Sequence, residues 1–201
     1  MERFQITFLC PTCRAIARLI KRDASASDRS ITWTDGYREI ADTPPPPQIT
    51  RCSECHVFYW VDSAIPFETD VQRHAPPLIE ALDENGYYEA IDSAVGCDRE
   101  HELALRVLAW WCGNNRFRKQ GEVPRFPTDH RAVHNLERLV DLCAGGDHEV
   151  LLTNVEGLRQ LGRFDEASQS LSGLCSDYNA AGTRLAALIA ARSRDLDILF
   201  D

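Results

Sequence analysis

Two Cys-x-x-Cys pairs lie near the start of this 201-residue chain, Cys10-Pro-Thr-Cys13 and Cys52-Ser-Glu-Cys55. Together they offer four thiolates, which is the ligand set of a closed tetrahedral Zn²⁺ site with Zn–S bonds of about 2.3 Å. We therefore expect Cys10, Cys13, Cys52 and Cys55 to hold one structural zinc ion.

Other chemistries for the four sulfurs are weaker alternatives. Iron can bind the same ligands, so zinc against iron stays open. A catalytic dithiol needs one pair and leaves the second unexplained, whereas a catalytic zinc keeps an open position that four cysteines do not leave. His56 follows Cys55 directly and could replace a cysteine as ligand, but we expect it beside the site or in solvent.

The segments around the pairs favour β-structure. Residues 3–9 predict a strand that leads into the first pair. Residues 14–22 could form a return strand or one helical turn, and we expect the strand. Asp35-Gly36 between two β-rich runs predicts a hairpin, and residues 57–61 predict a strand after the second pair. The four prolines of residues 44–47 favour an extended strap.

With these cysteine pairs and β-rich runs, residues 3–62 resemble the zinc-ribbon group. In that group two Cys-x-x-Cys turns, called knuckles, lie at the tips of β-hairpins and share one ion. The resemblance rests on both Cys-x-x-Cys pairs and on the flanking β-rich runs. Ribbon knuckles often carry glycine after the second cysteine, where this chain has Arg14 and His56. The resemblance implies a structural metal, and many zinc ribbons bind nucleic acid.

From about residue 77 the apolar period changes from 2 to near 3.6, which predicts helices. Capping residues and glycines delimit five of them: Asp98 to Asn114, Thr128 or Asp129 to Cys143, Asp147 to Leu161, Phe164 to Leu174, and Asp177 to Arg192. Short turns between them predict antiparallel packing. The fold class is therefore α+β: a zinc-ribbon domain at 1–65, a linker at 66–76 and an α-helical domain at 77–201.

Within the helical part, residues 151–174 resemble the tetratricopeptide-repeat (TPR) hairpin. The features shared are a small turn residue, an aromatic after the turn, a small residue in the second helix and apolar positions around them: Leu158, Leu161, Gly162, Phe164, Ala167, Leu171 and Leu174. Val155 departs from the pattern, and no repeat precedes the hairpin. A single hairpin cannot bury its own face, so neighbouring helices must cover it.

Several other residue types have a structural and a functional interpretation. The isolated cysteines Cys97, Cys112, Cys143 and Cys175 are expected to be buried small hydrophobes. His130 and His134 share a helical face but lack a third ligand, so we expect them in solvent.

A basic cluster and an aromatic pair can likewise be interpreted as structural or as functional. The cluster consists of Arg116, Arg118, Lys119 and Arg125 and could bind a phosphate or an acidic partner, although a solvated loop is the expectation. Trp110 and Trp111 could form a recognition platform, but consecutive helical residues point about 100° apart, so we expect one or both to be core residues.

The charge is unevenly distributed. Residues 1–75 carry 9 Lys/Arg against 10 Asp/Glu (net −1), and the rest carries 13 against 21 (net −8). A nucleic-acid-binding surface is normally basic, so this balance disfavours a large one. No signal peptide or membrane span is recognisable, and the composition favours a cytoplasmic protein in which thiols stay reduced.

No phosphate-binding loop, nucleophile elbow or catalytic carboxylate pair is present in the sequence, which favours a protein that is not an enzyme. The leading hypothesis is an adaptor that binds another protein, with a basic surface on the partner. An immunity or antitoxin-like protein belongs to the same binding class. Nucleic-acid binding through the ribbon is the rival hypothesis, and an enzyme with dispersed site residues is the third.

Overall fold

A computed structural model describes residues 3–22, 29–41, 45–67, 76–93, 95, 98–120, 129–174 and 179–200. These residues fall into two compact units. The first comprises residues 1–29 and 40–95, and the second comprises 30–39 and 96–201. Strands and a cysteine cluster near the N-terminus, followed by helices, confirm the α+β class.

The first unit is built from short antiparallel strands. β1 (Arg3–Leu9) pairs with β2 (Ile16–Arg22) and with β7 (Ile65–Pro66), giving the order β2-β1-β7. The predicted strand at 3–9 is thus confirmed. Within 14–22 the return strand, and not the helical turn, is found, and it begins at Ile16. A second hairpin consists of β5 (Ile49–Arg51) and β6 (Phe58–Trp60).

The first unit also contains a helix that the sequence patterns did not predict. α1 (Glu84–Asp92) begins after Asp83, whose side chain accepts a hydrogen bond from the Gly86 N–H at 2.7 Å. Ahead of it, residues 76–80 run beside β2, where Arg18 and Leu78 form an isolated parallel bridge. The proline strap is described only from residue 45, and Pro45 and Pro46 are exposed.

The second unit contains the remaining described α-helices: α2 (Arg99–Gln120), α3 (His130–Cys143), α4 (His148–Gln160), α5 (Phe164–Leu171) and α6 (Asn179–Ala190). Each packs against the next along the chain. Three predicted caps are confirmed, because the side chains of Asp98, Asp129 and Asp147 accept backbone N–H groups of the first helical turn. Among the described helices, none has the length and apolar character needed to cross a bilayer.

A small sheet accompanies these helices. β3 (Ser30–Trp33) and β4 (Arg38–Ile40) form the predicted hairpin, with Gly36 at φ +80° in the turn. β3 also pairs with β8 (Ile198–Phe200), so the order is β4-β3-β8. Residues 30–39 lie between the two Cys-x-x-Cys pairs in sequence, yet they group with the helices of the second unit.

The helix α2 is longer than predicted. The sequence pattern ended it at Asn114, whereas the structure continues it to Gln120. Arg116 and Arg118 are therefore helical residues, and the expectation that they belong to a solvated connection is wrong. The Lys119 side chain and Arg125, like Cys97 and Cys175, lie outside what the structure describes.

The close packing of α3 on α4 depends on Gly157. A Cβ atom at this position would lie 2.8 Å from Val140 Cγ2. We expect Gly157→Ala to lower the free energy of unfolding by about 1–3 kcal/mol, because the added methyl group forces the helices apart. Urea unfolding measures the effect.

Gly182 in α6 is the matched control, since its Cβ would meet its nearest neighbour only at 3.9 Å. Gly182→Ala is expected to stabilise by up to about 1 kcal/mol through helix propensity alone. Equal effects at the two positions would contradict the close approach at Gly157.

Candidate metal centre

The two Cys-x-x-Cys segments adopt the same backbone conformation. In the first, the Cys10 N–H donates to the Ala15 C=O at 2.8 Å and the Arg14 N–H donates to the Cys10 C=O at 3.0 Å. In the second, Cys52, Val57 and His56 make the equivalent bonds, both at 3.0 Å. The chain thus forms two knuckles, one at residues 10–15 and one at 52–57.

The knuckles bring the four predicted ligands together. All four Sγ atoms lie within 4.8 Å of one another. Across the knuckles, Cys10 and Cys55 are 3.8 Å apart, and Cys13 and Cys52 are 3.6 Å apart. Sulfurs bound tetrahedrally at about 2.3 Å from one ion would be separated by about 3.8 Å. The arrangement therefore fits a single tetrahedral metal ion, and the geometry is compatible with a structural zinc site.

Each knuckle requires a left-handed backbone at the residue after its second cysteine. Arg14 has φ +64° and His56 has φ +58°. Glycine adopts this region without steric cost, which explains its frequency there in ribbon knuckles, whereas other residues are strained by roughly 1–2 kcal/mol. Arg14 and His56 keep the knuckle geometry at that cost.

We accordingly expect Arg14→Gly to stabilise the metal-loaded first unit by about 0.5–1 kcal/mol, since relief of strain exceeds the added flexibility of glycine in the unfolded chain. Urea unfolding of the metal-loaded protein gives the measurement. Thr12→Gly serves as the control, because Thr12 lies in the same knuckle without a positive φ, and it should destabilise. Stabilisation by both changes would argue against backbone strain as the cause.

The thiols of the cluster ionise unequally. Burial opposes ionisation of Cys52, but N–H groups of Cys55 and Glu54 and the neighbouring thiols outweigh it and lower its pKa to about 7. The Val57 N–H favours the Cys55 thiolate, but burial and the three other thiols raise the pKa of Cys55 to about 12. Because metal ligands must be deprotonated, an ion that binds all four releases protons.

An apolar cluster supports the knuckles from one side. Phe8, Leu19 and Tyr59 are buried with Cys10 and Cys52. The rings of Phe8 and Tyr59 meet edge to face, with centroids 6.5 Å apart. Burial, followed by the charge of the four cysteines, raises the pKa of Tyr59 to about 12, so this hydroxyl stays neutral.

The remaining candidate ligands lie apart from the cluster. His56, His130 and His134 are exposed, as expected, and no grouping of potential ligands other than the four cysteines is found among the described residues. Cys143 is fully buried in α3, and burial raises its pKa to about 11, which fits the structural interpretation. Cys112 is partly buried in α2.

Both tryptophans of the aromatic pair have structural roles in the second unit. Trp110 is buried, and its Nε1 donates to Gln160 Oε1 at 2.9 Å. Trp111 Nε1 donates to the Asp35 C=O at 2.8 Å, and its ring packs edge-on against Tyr37. Trp110 thus occupies the expected core position, whereas Trp111 is partly buried.

Arg118, a candidate binding residue from the sequence, is buried and has a structural role. Its side chain is 2% exposed and forms an ion pair with Asp35, which is 0% exposed. Asp35 also accepts from Asn114 Nδ2 at 2.8 Å and from the Tyr37 N–H at 3.1 Å. Burial raises the pKa of Asp35, whereas the Arg118 guanidinium and these hydrogen bonds act in the opposite direction.

A second buried network lies in α4 and was not predicted. Glu156 and Arg159 are both 0% exposed and form a two-point ion pair, with both N–O distances at 2.7 Å. The guanidinium also donates to the carbonyls of Ser193 and Asp195, and Gln160 donates to Glu156. The i, i+3 spacing of Glu156 and Arg159 is ordinary for a surface helix, so only burial reveals the network.

Comparisons with known protein families, with curated proteins and with solved structures give no significant match for this chain.

Proposed function

We propose that this protein is a non-catalytic adaptor, in which a structural zinc site fixes one protein-binding unit and a helical unit provides further binding surface. The closed arrangement of the four sulfurs carries the proposal. Four thiolates fill a tetrahedral ion and leave no position for water or substrate, so zinc here would stabilise the fold and not react.

The charge and the helical hairpin support protein binding. The residues after 75 have a net charge of −8, which favours a partner with a basic surface. The α4–α5 hairpin buries Phe164 and Ala167 in the TPR-like positions, with Gly162 at φ +78° in the turn. The proposal assigns the protein to the cytoplasm, where reducing conditions keep the thiols available for metal.

Affinity purification of the tagged full chain, followed by cross-linking, tests the proposal. We expect a recurrent protein partner whose cross-linked surface is basic and whose binding weakens as salt is raised. Recovery of DNA or RNA with a steep salt dependence would point instead to the nucleic-acid-binding alternative. Turnover of a substrate by the purified protein would overturn the non-catalytic assignment.

A further inference from the structure

A cavity of about 870 Å³ lies within the first unit, beside the second knuckle. Binding pockets for ligands generally measure about 300–1,000 Å³. Three segments line it: residues 15–17 at the start of β2, residues 50–59 around the second knuckle, and residues 77–89, which lead into α1 and continue along it. The metal-stabilised knuckle thus forms one wall.

Residues 77–80, another part of the lining, form a short extended segment with a partly unpaired edge. The Pro77 C=O accepts from the Arg18 N–H at 3.0 Å, and the Ile79 N–H donates to the Arg18 C=O at 2.9 Å. Because backbone groups alternate in direction along a strand, the N–H and C=O of Leu78 lie on the other edge. Among the described residues, neither group has a hydrogen-bond partner. The Glu80 C=O, on the same edge, accepts from Thr50 Oγ1 at 3.2 Å, so this edge faces β5.

The side chains that line this part of the cavity are apolar and acidic. Leu78 is 47% exposed and Ile16 is 39% exposed. Glu80 and Asp83 add negative charge to the lining, and Glu89 is already paired with Arg51 at 3.4 Å. With Arg51 compensated by Glu89, the cavity has two acidic side chains in excess, which complements a cationic ligand.

We propose that the cavity receives an extended segment of a partner protein, which pairs as an added strand with the Leu78 edge. Backbone hydrogen bonds to Leu78 supply the pairing, an apolar side chain of the segment covers Leu78 and Ile16, and a lysine or arginine lies opposite Glu80. The inference rests on the proposed adaptor function, for which it names the binding site and the class of segment recognised.

Selection of phage-displayed random decapeptides on the metal-loaded full chain tests this site. We expect the selected peptides to alternate lysine or arginine with apolar residues. Leu78→Pro removes the N–H donor without removing an internal hydrogen bond, because that N–H has no partner among the described residues. It should weaken peptide binding about 2- to 10-fold relative to Leu78→Thr, which keeps the donor.

Charge variants distinguish the effect of the acidic groups in the cavity on peptide binding from the effect of the overall negative charge. Glu80→Lys should weaken binding of the selected peptides and reduce its salt dependence, whereas Glu137→Lys, an exposed acid on α3, should leave both unchanged. Failure to select any peptide, or peptides indifferent to Leu78→Pro and Glu80→Lys, would overturn the proposal. Self-association of the full chain that Leu78→Pro abolishes would assign the edge to a second copy and overturn it as well.

The same variants distinguish failure of the site from failure of the function. If the native partner co-purifies equally with the unmodified chain and with both Leu78→Pro and Glu80→Lys, the adaptor function stands and the cavity is not its binding site. If no protein partner is recovered while the selected peptides still bind at the cavity, the adaptor function fails and peptide recognition at this edge stands.

Discussion

Cys52→Ser is expected to abolish metal binding and to unfold the first unit. Serine cannot supply the fourth thiolate, and the Sγ of Cys52 lies 3.6 Å from that of Cys13 at the centre of the cluster. Formation of a structural zinc site contributes on the order of 10 kcal/mol in small zinc domains. The strands of the first unit are only 2 to 7 residues long, so they depend on the ion more than a large core would.

Metal analysis of the purified protein together with circular dichroism measures this effect. The unmodified chain should contain one equivalent of zinc per chain and lose the structure of the first unit when a strong chelator removes it. Cys112→Ser is the matched control, because Cys112 lies in α2 and outside the cluster, and it should keep the full metal content. Full metal content and a cooperative transition in Cys52→Ser would contradict the four-cysteine assignment, and one equivalent of iron would correct the identity of the ion.

The metal centre was predictable because its signals are local. A Cys-x-x-Cys turn directs two sulfurs toward one ion through its local backbone alone. Two such turns together supply the four ligands of a tetrahedral site. The caps Asp98, Asp129 and Asp147 were predictable for the same reason, since a capping side chain binds N–H groups two or three residues away. Sequence also indicated the hairpin at Asp35-Gly36.

The structure around that hairpin was not predictable from local signals. Asp35 and Arg118 are 83 positions apart, and nothing near Arg118 distinguishes it from its neighbour Arg116, which is exposed. β8 is only three residues long, and it is a strand because it pairs with β3, more than 160 positions earlier in the sequence. The conformation of Arg14 and His56 was missed in a different way, because their side chains gave no sign of the positive φ that the knuckle imposes.

Loss of the Asp35 carboxylate is expected to destabilise the second unit strongly. Asp35→Ala leaves the guanidinium of Arg118 buried without its counter-ion, between the rings of Tyr37 and Trp33 at 4.3 and 5.7 Å. Removing one partner of a buried ion pair costs about 3–5 kcal/mol. Urea unfolding followed by tryptophan fluorescence reports mainly on this unit, because Trp33, Trp110 and Trp111 belong to it and only Trp60 belongs to the first unit.

Two further variants identify burial of the charge as the cause. Glu166→Ala breaks an exposed pair, with Glu166 and Arg163 at 55% and 41% exposure, and should cost less than about 1 kcal/mol. Asp35→Ala combined with Arg118→Met removes both charges, so the double variant should be more stable than the sum of the single losses predicts. Additive losses would mean that Asp35 stabilises the hairpin through Asn114 and the Tyr37 N–H, and that its pairing with Arg118 contributes little.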